Sequence, residues 1–145
     1  MVSAAPASWL VWALGSAGFA ALTAIFAKIG VEGIDSDLAT LFRTLVIVVV
    51  LSAILAITGK FQPLGSIAPR TWLFLTLSCL ATGASWLCYF RALKIGDAAR
   101  VAPIDKLSVV FVAILGVLLL GEHLSARGWL GIVFIGAGAV LVALA

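Results

Sequence analysis

The stretch "ATGASWLCYFRALKIGDAARVAPIDKLSVV", residues 81–110, carries Arg91, Lys94, Asp97, Arg100, Asp105 and Lys106 between apolar runs. Just ahead of those charges, Ser78, Thr82, Ser85 and Tyr89 are spaced four, three and four apart, which is one face of an α-helix, with Trp86 beside Ser85. Gly83 and Ala84 thin the helix nearby. Hydroxyls and an aromatic ring on one face suit a wet cavity that binds amphipathic solutes; they also suit hydrogen-bonded helix packing. Arg43 shares a face with Thr40, Thr44 and Ile47. It is either an interfacial anchor or a cavity residue. Asp105 and Lys106, as neighbours, project about 100° apart on a regular helix and are not expected to pair there. Each then needs a partner elsewhere, and Arg43 or Arg91 would serve Asp105.

This is chemistry of binding, not of bond cleavage. The single histidine, His123, sits in "LLLGEHLSARGWLGI" and reads as a loop residue. There is no His/Cys metal pattern, phosphate loop, nucleophile elbow or redox motif, so neither an enzyme nor a cofactor is expected. Cys79 and Cys88 are nine residues apart, about 900° around a helix. They face opposite sides, cannot bridge within the chain, and read as two small buried side chains.

The elements that hold these residues follow from composition. Of 145 residues, 64% are hydrophobic and 10% charged, and the mean hydropathy is +1.28. Soluble domains run to about 45–50% apolar and about 25% charged. Nine basic and six acidic side chains cannot coat a water-facing surface. The chain is therefore read as an integral membrane protein. With a net charge of +3 and its basic residues beside apolar runs, its default partners are lipid headgroups, not nucleic acid.

A bilayer core of about 30 Å takes about 20 helical residues. Gly, Pro and charge clusters divide the sequence into five such runs, near residues 7–28, 38–58, 70–93, 101–120 and 126–145. Pro6 precedes the first, where its missing N–H costs nothing. Ser36 or Asp37 is the expected N-cap of the second, and Ser125 of the fifth. The first run lacks a basic leader and is too long for a signal-peptide core, so it is read as a retained span. Links as short as "KIGDAA" and "GEHLS" force neighbouring helices to run antiparallel, and nothing alternates as a β-barrel strand would. If the fourth helix starts at Ala102, Pro103 lies harmlessly in its first turn, which is the expectation; if it starts at Asp97, Pro103 bends it. In the fifth, Gly131 and Gly138 share a face suited to tight packing.

An odd number of spans puts the termini on opposite sides. The side of the N-terminus carries Lys60, Arg70 and Arg127, with Trp9, Trp12, Trp72 and Trp129 as interfacial belt residues. The other side carries Lys28, Arg91, Lys94 and Arg100, joined by Arg43 and Lys106 if these reach outward. Lys28 and Lys94 complement the dipoles of the helices they end. Three cations against four leave orientation open and dual topology possible; three against six place the second side in the cytoplasm. The ionisable groups within the spans gather on that second side, as a charged vestibule.

The segments "CLATGASWLCYFRAL", "GDAARVAPIDKLSVV" and "LLLGEHLSARGWLGIVFIGAGAVLV" resemble the EamA domain of the drug/metabolite transporter superfamily. The resemblance covers most of the chain, best over residues 81–141. Many members have ten spans built from two five-span halves of opposite topology; this chain, 1–145, is similar to one half of such an inverted-repeat fold. The resemblance implies a bacterial or archaeal cytoplasmic membrane and a homodimer, with an antiparallel pair mimicking the two halves. Small multidrug-resistance relatives carry a glutamate in the first helix. Here that helix offers only Ser16 and Thr23, leaving Asp105 as the one intramembrane carboxylate for coupling.

The resulting expectation is a transporter of small organic solutes working by alternating access. Its cavity residues are Arg43, Ser85, Trp86, Tyr89, Asp105 and Lys106. Trp86 and Tyr89 would enclose the solute, Arg43 would hold an anionic group or neutralise Asp105, and Asp105 would couple. The alternatives are a non-catalytic membrane subunit packing with a partner, and a flippase for lipids or lipid-linked sugars.

Overall fold

The computed structural model describes residues 8–145. Pro6 and the expected start of the first helix at Ala7 lie outside them. The described chain is helical throughout: α1 Ser8–Gly30, α2 Ser36–Thr58, α3 Pro69–Ile95, α4 Ala98–Asp105, α5 Ser108–Leu120 and α6 Ala126–Leu144, with a 3-10 turn at Leu64–Ser66. Five segments are long and apolar enough to span a bilayer: Trp9–Gly30, Ser36–Thr58, Pro69–Ile95, Ala98–Leu120 and Ala126–Leu144.

Local chemistry fixes the ends. Asp35, not Ser36 or Asp37, caps α2: its backbone is extended, and its Oδ1 accepts from the amides of Asp37 at 2.8 Å and Leu38 at 3.2 Å. Three consecutive residues here are good cap formers, and Ser36 has already turned into the helix. Gly59 ends α2 at φ 63, with the Lys60 amide closing back onto the Leu55 carbonyl at 3.1 Å. That left-handed turn is one that glycine adopts freely. Pro69 opens α3 at the first helical position, where it forfeits no hydrogen bond. Ser125 caps α6 as expected, its hydroxyl accepting from the Gly128 amide at 3.2 Å.

The fourth span departs from expectation. It begins at Ala98, so Pro103 is internal, and it breaks into α4 and α5. Proline offers no amide to the Ala99 carbonyl. Immediately past α4, the Lys106 amide is shared between the carbonyls of Ala102 at 3.2 Å and Pro103 at 3.1 Å, and Val109 and Val110 reach back only three residues, to Lys106 and Leu107. The segment thus tightens through a short non-α turn before α5 resumes.

The described residues divide into two compact units, 28–94 and 8–27 with 95–145. Within the second, α4 and α5 both pack on α6. The α5–α6 approach is close: a Cβ added to Gly136 would stand 3.3 Å from Val110 Cγ2. Lipid supplies no hydrophobic drive between helices, so small residues that permit such proximity take its place. The buried apolar residues of the 28–94 unit are Val31, Ala39, Phe90 and Leu93, alongside Ser36 and Thr40. Most large apolar side chains, such as Phe19, Val49, Leu80 and Leu119, are uncovered by protein and form the surface that lipid would wet. Both cysteines are exposed rather than buried.

Candidate solute-binding site

The 28–94 unit holds the site. One end of its helix pair is tied by three charged side chains. Arg91 Nη2 pairs with Asp37 Oδ2 at 2.7 Å, Lys94 Nζ donates to the Ile34 carbonyl at 2.6 Å, and Lys28 Nζ donates to the Leu93 carbonyl at 2.7 Å. Lys28 therefore complements the end of α3. Arg91, taken by Asp37, is not the partner expected for Asp105.

Arg43 lies deeper. Its guanidinium sits 4.2 Å from the centroid of the Trp86 ring and 5.4 Å from that of Phe90. The two rings are four residues apart and share a face of α3. Counting from the tied end at about 1.5 Å per residue, Phe90 stands at about 8 Å, Arg43 at about 10 Å and Trp86 at about 13 Å. The guanidinium is nearer the deeper ring, so it does not reach outward as an interfacial anchor would. Among the described residues no carboxylate forms a salt bridge with it, and no buried side-chain nitrogen or oxygen lacks a partner. Its N–H edge therefore meets no carboxylate of the described residues. Placing an arginine in a span costs about 2.5–3.5 kcal/mol, and a ring contact offsets about 0.5–2 kcal/mol. The remainder must come from water or a bound group at that edge.

Beside this stack α2 and α3 enclose a cleft of about 260 Å³. Thr40 and Thr44 line it from α2; Ser78, Cys79, Thr82, Gly83 and Trp86 line it from α3. Trp86 is thus both a wall of the cleft and a ring under Arg43. The threonine hydroxyls are oriented by their own helices. Thr40 donates to the Ser36 carbonyl at 2.9 Å, Thr44 to the Thr40 carbonyl at 2.8 Å, and Thr82 to the Ser78 carbonyl at 2.8 Å. Their hydrogens are committed and their oxygens remain as acceptors.

Of the other expected cavity residues, Tyr89 is half-buried, with its ring edge-on to Phe90 at 6.4 Å. Ser85 is exposed and outside the cleft lining. Asp105 and Lys106 sit in the other unit, at the break in the fourth span. There they do pair, Lys106 Nζ lying 3.0 Å from Asp105 Oδ2. The 100° separation assumed a regular helix; α4 ends at Asp105, and the flexible lysine stem folds back across the turn. Residues that sequence reasoning did not place at the site are Cys79, Gly83 and Phe90. The signal was the spacing 79, 83, 86, 90, an unbroken helical stripe one residue round from the hydroxyl stripe.

Comparison with known proteins bears on the whole chain. The EamA-like transporter family matches over residues 7–144. A protein of a Sinorhizobium species described as "Uncharacterized transporter in cobO 3'region" is 67% identical over 136 residues, which is 94% of this chain and 96% of that relative. No solved structure gives a significant match. Five bilayer-length helices, a hydroxyl-lined cleft between two of them, and a match over nearly every residue lead to one conclusion: this integral membrane protein belongs to the EamA-like transporter family.

Proposed function

We propose that the chain carries small organic solutes, metabolites or drug-like molecules, across the membrane by alternating access, as a homodimer. The observation that carries the reading is the cleft within the spans, flanked by a guanidinium that no carboxylate of the described residues neutralises. Arg43 and Trp86 face the solute, with Ser85 and Tyr89 on the flank of α3. Asp105 and Lys106, at the break in the fourth span, form the ion pair that couples solute movement to helix rearrangement. Interrupted helices beside charged groups are the usual places for transporter sites. A five-span unit needs a second one to close a path, and the near balance of cations on the two sides is compatible with an antiparallel pair.

The test is reconstitution. Purified protein in mild detergent should have the mass of a dimer, and proteoliposomes should exchange labelled organic solutes faster than protein-free vesicles. A monomer that exchanges nothing until another membrane protein is added would replace this reading with that of a non-catalytic subunit.

A further inference from the structure

Resting on the transporter reading, we infer that the Arg43–Trp86 cleft selects small organic anions with an apolar body and rejects organic cations. The size follows from the cavity. At about 260 Å³ it lies just under the roughly 300–1,000 Å³ of pockets that hold drug-sized ligands. The sign of the charge follows from the side chains. No lining residue is acidic. The acids of this unit are Glu32, Asp35 and Asp37, all before or at the start of α2. Asp35 is committed to capping α2 and Asp37 to Arg91. An ammonium in the cleft would meet the Arg43 charge with no carboxylate to offset it.

The geometry of Arg43 fits an anion. A guanidinium can stack its face on a ring and still present its edge, where paired N–H groups match the two oxygens of a carboxylate. Trp86 and Phe90 occupy the face, at 4.2 and 5.4 Å. No carboxylate among the described residues pairs with that edge. Trp86, Gly83 and Cys79 provide the wall for the apolar body. The hydroxyl oxygens of Thr44 and Thr82, whose hydrogens go to their own helices, accept from a neutral hydroxyl or amide on the solute.

A matched set of probes tests this without any variant: phenylacetate, phenylacetamide and phenethylamine share one ring and differ in charge. Phenylacetate is expected to bind the detergent-purified protein saturably, by calorimetry, and to raise its melting temperature. The amide should bind more weakly by about tenfold to a hundredfold, as for loss of a charge-assisted bond. The amine should not bind. Arg43→Gln should erase the preference for phenylacetate over the amide; Arg43→Lys, which keeps the charge but not the fork, should keep part of it. Equal or tighter binding of the amine, a preference unchanged in folded Arg43→Gln, or no saturable binding of phenylacetate would each overturn the inference. Flux in proteoliposomes separates it from the reading it rests on. Carriage of amines without carboxylates would leave a transporter and remove the anion site; tight phenylacetate binding without flux would leave the anion site and remove the transporter.

Discussion

The Arg43 guanidinium lies over the Trp86 ring, 4.2 Å from its centroid, within a bilayer-spanning segment. The same ring is a wall of the cleft, so the stack sets the cation beside it. Trp86→Phe retains a ring face and is expected to melt within about 1 kcal/mol of wild type. Trp86→Leu removes the ring and the cleft wall together, and is expected to lose about 1–3 kcal/mol and most solute flux. Thermal unfolding in detergent, paired with vesicle flux, separates the two variants; indistinguishable behaviour would show that the ring contact does not orient Arg43.

Asp35 makes a pH prediction. Its carboxyl is held below the usual 3.8, chiefly by the amides of Leu38 and Asp37. A depressed folded-state value contributes stability above the unfolded value and loses it as pH falls through the folded one. Asp35→Asn keeps a cap acceptor without a titrating group. Wild type is therefore expected to lose melting temperature relative to Asp35→Asn as pH drops below about 4. Parallel curves for the two proteins would contradict the cap assignment.

Asp105→Asn tests coupling at the broken span. The pair is partly solvated, with Lys106 55% and Asp105 33% exposed. Its loss should cost about 1 kcal/mol or less. Expression and helicity should survive while solute exchange collapses. Wild-type exchange in the variant would remove Asp105 from the mechanism.

Glycine substitutions should separate conformation from crowding. Gly121 ends α5 at φ 67, so Gly121→Ala is expected to lose about 1–2 kcal/mol. At Gly116 a new Cβ would stand 2.7 Å from Glu122 Oε2, the far end of a flexible chain that can swing aside. Gly116→Ala should therefore lie close to wild type, and unfolding by denaturant in detergent would reverse the reasoning if the order came out the other way.

Cys79 reports whether the cleft is wet. It lines the cavity, whereas Cys88 does not. In a Cys88→Ser background, a water-soluble maleimide should label Cys79, block flux, and be slowed by a transported solute. Labelling only by lipophilic reagents would mean that lipid, not water, fills the cleft.

The spans were legible because apolar runs of bilayer length are punctuated by Gly, Pro and charge, and the Ser125 cap followed from the same punctuation. The break at residues 105–107 was not. "IDKLS" contains no breaker, and the disruption comes from Pro103, whose effect depended on where the helix began. The Asp105–Lys106 pair was hidden for the same reason, since it exists only where helical geometry fails. The cleft was half legible. Ser78 and Thr82 belong to it, but so do 79, 83 and 86 from the neighbouring stripe, while 85 and 89 do not. Two stripes about 100° apart are equally periodic, and only the rotation of α3 against α2 chooses between them.

The 3.0 Å pairing of Asp105 with Lys106 also has an electrical meaning. A zwitterion feels no net pull from a transmembrane voltage, so motion of the broken segment is silent in current recordings. Arg43 carries its charge uncompensated, and a full unit charge moved across the whole potential is worth about 2.3 kcal/mol per 100 mV. An empty carrier would therefore respond to voltage through Arg43, and a bound monoanion would cancel that response.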